Sequence, residues 1–166
     1  MKKRHALSCC LLLVVLGTVI LGSANGSMVC QACTVGFFKN HPQFINGNSC
    51  GTYNQDTLVS SLFPAVDSCV GDLSLLGLLS SSTSVCGTGS TLAGAEVIML
   101  RQAITRVMNA TNSIPATQGC KIANAAITKA NNTINDAIAT DNPGELKTLG
   151  DAFGALNNDS LCTIGQ

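Results

Sequence analysis

Seven cysteines downstream of an export-like leader constrain the fold of this chain more than any other feature. They are Cys30, Cys33, Cys50, Cys69, Cys86, Cys120 and Cys162. In an exported chain such cysteines are oxidised, and each disulfide stabilises a domain with a modest core by about 2–4 kcal/mol. Because seven is an odd number, one thiol stays free or forms an intermolecular disulfide.

The positions of the cysteines favour two particular bonds. Cys69 and Cys86 would close a small loop, and Cys33 and Cys162 would tie the two ends of the domain together. The full set of disulfide candidates is Cys33, Cys50, Cys69, Cys86, Cys120 and Cys162. Connectivity cannot be deduced from spacing alone, so these pairings are hypotheses.

Residues 1–26 have the layout of a secretory signal peptide. Residues 2–4 are basic, residues 6–21 form an apolar run, and residues 22–24 are small. Signal peptidases cleave after small residues, so we expect cleavage after Ala24 or Gly26. An uncleaved membrane anchor is the alternative, since the apolar run is near the lower limit of about 17 residues for a spanning helix. The leader predicts a secreted, periplasmic or cell-surface protein.

The charge that remains after removal of the leader argues against nucleic-acid binding. The whole chain has nine basic and nine acidic residues, and three basic ones belong to the leader, which leaves six against nine and a net charge near −3. No basic patch then remains to neutralise phosphates. No later segment is long and apolar enough to span a bilayer, so we expect no stable membrane span after cleavage.

Apolar residues recur at three- and four-residue spacing along most of the mature chain, which predicts helices. We expect helices at residues 53–63, 73–79, 91–110, 120–140 and 143–156. Residues 65–90 are rich in serine and glycine and are bracketed by two cysteines, so they predict a long loop that carries the short helix. The predicted fold class is all-α, an irregular disulfide-braced bundle of four to five helices.

Local signals refine the last predicted helix. Asn142 is expected to cap it, with Pro143 at the first helical position and Glu145 three residues after the cap. Gly150 and Gly154 each weaken a helix by up to about 1 kcal/mol, and their four-residue spacing predicts that another helix lies close against them. The predicted buried residues of the helices are Leu58, Val59, Leu62, Phe63, Val97, Leu100, Ile104, Val107, Ala123, Ile127, Ala130, Ile134, Ala137, Leu146, Leu149, Phe153 and Leu156.

The mature chain carries no complete catalytic or metal-binding motif. His41 is its single histidine, so a nucleophile–base system would have to use it, and histidine-based zinc sites lack ligands. Cys30-x-x-Cys33 has the spacing of a redox pair or half a zinc site. It lies on a predicted arm rather than between a strand and a helix, and no second such pair is present. We expect no cofactor and no metal.

The stretch CTVGFFKNHPQF, residues 33–44, is the most distinctive in the chain. In one interpretation it is a shallow ligand site whose candidate residues are Phe38, Lys39, Asn40 and His41. In the favoured interpretation it is a structural corner. Three phenylalanines would anchor a segment that lacks regular structure, Gly36 would take an unusual backbone angle, and Asn40 and His41 would bond to nearby backbone. We therefore divide the chain into a signal peptide (1–26), an extended arm with the GFFKNHP corner (27–52) and a helical domain (53–166) that forms one globular unit with residues 33–52.

These residues also carry a resemblance. TVGFFKNHP resembles the TQGYWKNHP signature of an uncharacterised family of bacterial exported proteins and surface-protein modules. YNQDTLVSSL is similar to that family's tyrosine-led helix, EVIMLRQAITRVMNATN to its central helix, and LGDAFGALNN to its closing helix with an asparagine pair. The chain departs from the family at Phe38, where the family favours tryptophan, and in the insertion at residues 65–90. The resemblance implies an architecture and a bacterial, exported location; it implies no reaction.

Together these features predict an exported, non-catalytic helical domain that acts as a cell-surface or extracellular binding or structural module, with an unidentified extracellular or envelope partner. A carrier of a small apolar, lipid-like molecule is the alternative, with a cavity between the alanine-lined helices and the LSLLGLL segment. A hydrolase that uses His41 with a carboxylate is the third hypothesis.

Overall fold

The computed structural model describes residues 33–45, 50, 53–87, 91–113 and 116–157, and within them the chain is all-α, as predicted. The predicted signal peptide, residues 1–26, lies outside the described residues. The seven described α-helices are α1 (Val35–Asn40), α2 (Val59–Leu62), α3 (Ser68–Gly71), α4 (Leu75–Ser80), α5 (Thr91–Ser113), α6 (Ala116–Thr140) and α7 (Pro143–Asn157). None of these helices has the length and apolarity needed to cross a membrane.

Helix α5 is the centre of the bundle. It packs most extensively against α6 and α7, and it also contacts the short helices α1 and α4. The four residues predicted to form its buried face, Val97, Leu100, Ile104 and Val107, are all fully buried. Other faces are buried as well, including Met99, Ala103, Thr105 and Met108. The buried polar side chains of a helix enclosed in this way need hydrogen-bond partners inside the protein. This requirement applies to Asn109 and Glu96, which are described below.

Helix α6 carries the predicted stripe of small residues. Ala123, Ala130, Ile134 and Ala137 are buried, whereas Ile127 is only partly buried. The predicted break between α5 and α6 is shorter than the sequence suggested, because α5 continues to Ser113 and α6 begins at Ala116. The small side chains let α6 lie close to the central helix.

Helix α7 begins as predicted. The Asn142 Oδ1 atom accepts a hydrogen bond from Gly144 N (3.0 Å), and its Nδ2 group donates to Glu145 Oε1 (3.2 Å). At the other end the prediction for Leu156 is wrong, because this side chain is exposed and Asn157 is fully buried instead. The inward position is taken by a polar residue because it has hydrogen-bond partners on α5.

The predicted helix at residues 53–63 is wrong in its first half. Asn54 Oδ1 accepts a hydrogen bond from Asp56 N (2.9 Å), and Asn54 N donates to Thr57 Oγ1 (2.8 Å), so the backbone turns before a helix can start. Leu58 then pairs with Ser74 in an isolated bridge and is exposed rather than buried. Only Val59–Leu62 is helical.

The inserted segment 65–90 contains two short helices, α3 and α4, and the second covers most of the predicted apolar helix. Arg101 on α5 holds the end of α4, because its Nε group donates to Leu78 O (2.9 Å). A cation at this position also complements the negative end of the helix. The insertion is therefore fastened to the bundle rather than looped out from it.

Two disulfides connect described residues. Cys69 is bonded to Cys86, which confirms that prediction, and the two further candidates Cys50 and Cys120 are bonded to each other. Cys33 is also in a disulfide. Its predicted partner, Cys162, lies outside the described residues, so that pairing stays a prediction.

Candidate functional site

The GFFKNHP segment forms a short helix rather than an irregular arm. Thr34 caps α1 through its Oγ1 atom, which accepts a hydrogen bond from Phe37 N (3.3 Å). The helix ends at His41, and a single 3₁₀ turn, Pro42–Phe44, follows it. The expectation for Gly36 is wrong, because it is an ordinary residue of α1; the described glycine with a positive φ is Gly87. A capping threonine and a turn-starting proline explain this compact local structure.

Aromatic rings fill the inside of this corner. Phe38 is fully buried in the core, and its ring lies edge-on to Phe37 at a centroid distance of 5.3 Å. Phe37 in turn is stacked on His41 at 4.6 Å and on Phe44 at 5.6 Å. Such ring pairs contribute about 0.5–1.5 kcal/mol beyond their buried area. The phenylalanines therefore anchor the corner, as the structural interpretation expected.

The four candidate ligand-binding residues do not share one environment. Phe38 faces the core and has no exposed surface, so it has no access to a ligand from outside. Lys39, Asn40 and His41 are exposed and consecutive, at the end of α1. We call these three residues the 39–41 edge. The structure thus separates the aromatic anchor from the polar groups that face solvent.

Two asparagines of the central helix hold the corner in place. Asn109 Oδ1 accepts a hydrogen bond from Cys33 N (2.7 Å), and Asn109 Nδ2 donates to Cys33 O (2.9 Å). Asn112 Nδ2 donates to Phe44 O (3.1 Å) at the other end of the segment. We call Asn109 and Asn112 the asparagine clamp. The clamp, rather than Asn40 and His41 as predicted, supplies hydrogen-bond partners to the backbone of this segment.

The clamp continues into a buried polar network. Asn109 Nδ2 also donates to Asn157 Oδ1 (3.2 Å). Asn157 Nδ2 donates to Gln102 O (2.8 Å) and to Gln102 Oε1 (3.0 Å). Buried networks of this kind are rigid when every member is satisfied. The network therefore joins the corner, α5 and the end of α7.

Sequence reasoning missed the asparagines as individual positions. A signal existed, because asparagines recur near the ends of the predicted central and closing helices, in MNATN and LNN. Periodicity alone does not identify them. In a helix that is buried on most sides, a buried polar residue occurs at the same spacing as the buried apolar residues. Their roles depend on contacts with distant residues: Asn109 bonds to Cys33, 76 residues away in the sequence, and Asn112 bonds to Phe44, 68 residues away.

A concave region lies at the other end of α5 from the asparagine clamp. It is lined by residues 65–67 between α2 and α3, by Leu92, Ala93 and Glu96 on α5, and by Ile138 on α6. We call it the Glu96 pocket. Burial raises the pKa of Glu96 to about 7, and the negative charge of Asp67 also raises it. A hydrogen bond from Asp67 N to Glu96 Oε1 (3.2 Å) lowers the pKa and offsets part of this increase.

One cluster near this pocket resembles a metal site in composition only. Asp67, Cys69 and Cys86 bring possible ligand atoms within 4.8 Å of one another. Cysteine binds metals as a thiolate, and these two sulfurs are joined in a disulfide. The cluster therefore offers no thiolate ligand.

Comparisons of this chain with protein-family models, with curated proteins and with solved structures give no match.

Proposed function

We propose that this chain is an exported, non-catalytic helical module that acts at a cell surface or in the extracellular space, and that the 39–41 edge contacts its partner. The asparagine clamp is the observation that carries the proposal. It fixes the backbone on both sides of α1 through three hydrogen bonds from the central helix. The backbone on both sides of the exposed edge is thereby held by side chains of the central helix, independently of the side chains of Lys39 and Asn40.

A rigid edge suits binding because little conformational entropy is lost when a partner orders it. Lys39 offers an ammonium group, Asn40 an amide, and His41 an imidazole, so the edge can donate and accept hydrogen bonds. The partly buried rings of Phe37 and Phe44 lie beside this edge, and the ring of Phe37 is stacked on His41. The edge thus presents polar side chains that can rotate, next to aromatic rings that are packed in place.

The disulfides support an exported location. Two described bonds and the oxidised Cys33 are typical of a protein from an oxidising compartment, such as the periplasm or the extracellular medium. The leader-like residues 1–26 and the resemblance to bacterial exported proteins agree with this location. The odd number of mature cysteines is the basis for an intermolecular disulfide as a second means of attachment.

Two variants separate the anchor from the contact surface. Asn109→Ala leaves Cys33 N and Cys33 O without their partner, so we expect its melting temperature to fall by about 5–10 °C. The double variant Lys39→Ala/Asn40→Ala should melt within about 2 °C of the parent protein, because both side chains are exposed. Binding to envelope fragments of the producing cells, measured by co-sedimentation, should be lost in the double variant.

A matched control uses Lys121, an exposed lysine on α6 whose replacement by alanine changes the net charge equally. His41→Ala adds a second test, since it removes a ring stacked on Phe37 and should cost about 1 kcal/mol and 2–4 °C. If the double variant sediments with the envelope as well as the parent protein does, the 39–41 edge is not the contact surface.

The carrier alternative stays a prediction. Leu75, Leu78 and Leu79 of the LSLLGLL segment are buried in the core, and so are the alanines of the α6 stripe. A lipid-like ligand would enter between them only if these faces separated. Mass spectrometry of the protein purified from its native medium tests for such a ligand. The hydrolase hypothesis would need a carboxylate beside His41. Its ring lies against the rings of Phe37 and Phe44, and among the described residues no carboxylate forms a hydrogen bond or ion pair with it.

A further inference from the structure

We propose that the Glu96 pocket binds a small primary amine in its ammonium form, with the hydrocarbon body of the amine against the apolar walls. The pocket lies at the first turns of α5, whereas the asparagine clamp lies at the last turns of the same helix. The proposal is therefore independent of the function proposed for the 39–41 edge.

The pocket has the size of a small organic molecule. Its volume is about 210 Å³. An apolar cavity of roughly 150 Å³ holds one benzene molecule. The pocket thus accommodates a six-membered ring with a short aminomethyl arm, and it is too small for a lipid. Three segments that are distant in the sequence converge to form it, so its shape depends on the whole fold.

The charge in the pocket is of one sign. Glu96 is only 3% exposed. Its Oε1 atom accepts the hydrogen bond from Asp67 N. Its Oε2 atom has no hydrogen-bond partner among the described residues and keeps some contact with solvent. Asp67 adds a second carboxyl to the lining, which includes no lysine, arginine or histidine. A ligand cation would supply the counter-charge that the described walls lack.

An organic cation fits the walls better than a metal ion does. Calcium requires six to eight oxygen ligands and magnesium an octahedral shell. Here the remaining walls are side chains of alanine, valine, leucine and isoleucine, which have no ligand atoms. A primary ammonium group has three N–H donors, of which one can bond to Glu96 Oε2 while another reaches toward Asp67. Its carbon atoms would bury against Leu92, Ala93 and Ile138.

The test is an amide-shift titration by NMR of the ¹⁵N-labelled secreted protein with benzylamine. A pH of roughly 8.5 keeps Glu96 ionised and the amine protonated. Benzyl alcohol is the neutral comparison, since it has nearly the same shape. Glu96→Gln keeps the acceptor for Asp67 N and removes the charge. Asp56→Asn, at an exposed carboxylate outside the pocket, changes the net charge equally and is the matched control.

We expect benzylamine to shift the amides of residues 65–67, 92–96 and 138, with a Kd at least about tenfold lower than that of benzyl alcohol. Glu96→Gln should raise the Kd for benzylamine at least about tenfold, and Asp56→Asn by less than about twofold. Equal binding of amine and alcohol, shifts confined to another surface, or full binding by Glu96→Gln would each overturn the proposal.

A second variant keeps the test decisive if Glu96→Gln does not fold. Ala65→Leu fills the pocket from its rim and leaves Glu96 in place. We expect this variant to lose the benzylamine shifts at residues 92–96 while its far-ultraviolet circular dichroism stays unchanged. Persistence of those shifts in the filled pocket would show that the amine does not bind there.

Discussion

Gly150 and Gly154 offer a paired test of how closely α7 lies against the central helix. A Cβ atom at position 150 would stand 3.2 Å from Met99 Cα, and one at position 154 would stand 3.6 Å from Gln102 Cδ. The first distance is shorter than the optimal carbon–carbon separation of about 3.5–4.0 Å, and the second lies within it. The obstacle at position 150 is backbone, which cannot rotate away.

Gly→Ala in a helix gains about 1 kcal/mol from backbone propensity, so both substitutions begin with the same benefit. Gly154→Ala should keep most of it and stabilise the protein by about 0.5–1 kcal/mol. Gly150→Ala must push two long helices apart by a few tenths of an ångström, and overpacking of this kind costs about 1–3 kcal/mol. Its net effect should be a loss of about 1 kcal/mol, so the two variants should differ by about 2 kcal/mol.

Thermal unfolding of the oxidised protein, followed by circular dichroism at several scan rates, measures this difference. For a domain of this size 1 kcal/mol corresponds to roughly 2–4 °C, so the melting temperatures should differ by about 4–8 °C, with Gly154→Ala above the parent and Gly150→Ala below it. If both variants were stabilised equally, the close approach of Met99 to Gly150 would not limit the packing, and the reasoning from these distances would be refuted.

Three further predictions concern single groups. Because burial raises the pKa of Glu96 to about 7, the contribution of its protonated form to stability is complete below about pH 4.5 and is lost as the pH rises through 7. Glu96→Gln should therefore stabilise the protein above pH 8 by about 1–2 kcal/mol, after allowance for solvent screening. Urea unfolding measures this change, and a lower stability of the variant at that pH would contradict the prediction. Tyr53 is the single tyrosine and no tryptophan is present, so absorbance titration should show one phenol with a pKa of about 12, raised by burial; titration near 10 would mean that its hydroxyl is exposed. Asp141 directly follows α6 and has a φ of 48°, a conformation that glycine adopts without steric cost. Asp141→Gly should therefore raise stability by about 0.5–1 kcal/mol in the same unfolding assay, and a decrease would show that its side chain contributes to the cap.

The fold could be predicted where local pattern and tertiary packing agree. Helix α5 and the start of α7 follow from periodicity and from the cap at Asn142. The Cys69–Cys86 bond follows from the short loop that it closes, over a separation of 17 residues. Residues 53–58 could not be predicted, because Asn54 and Thr57 close a turn through side-chain hydrogen bonds that periodicity does not register. Hydrophobic periodicity indicates which face of a helix is apolar, but it does not indicate where hydrogen bonds from polar side chains prevent a helix from forming.

The aromatic anchor of residues 33–44 could be predicted from the sequence, whereas the hydrogen bonds that hold its backbone could not. Three phenylalanines in one short stretch correctly indicated an anchor, and the fully buried Phe38 is its centre. The sequence favours Asn40 and His41 as hydrogen-bond partners of the backbone because they lie in the same segment, whereas the observed partners, Asn109 and Asn112, are distant in the sequence. Single-sequence reasoning favours local partners, because long-range contacts between polar residues leave no periodic trace.

The two ends of α5 show how a buried polar group can be assigned to structure or to binding. Asn109 has partners for both its oxygen and its nitrogen, so it contributes to stability, and Asn109→Ala should cost about 2–4 kcal/mol because Cys33 and Asn157 lose partners inside the core. Glu96 has a described partner for one oxygen only, so its ionised form is a cost to the folded state. Substitutions at the two positions should therefore move stability in opposite directions at alkaline pH. The clamp is therefore treated as structure because its amide atoms are bonded within the fold, and the Glu96 pocket as a proposed site because it combines a cavity of about 210 Å³ with a buried carboxylate that has a described partner for one oxygen.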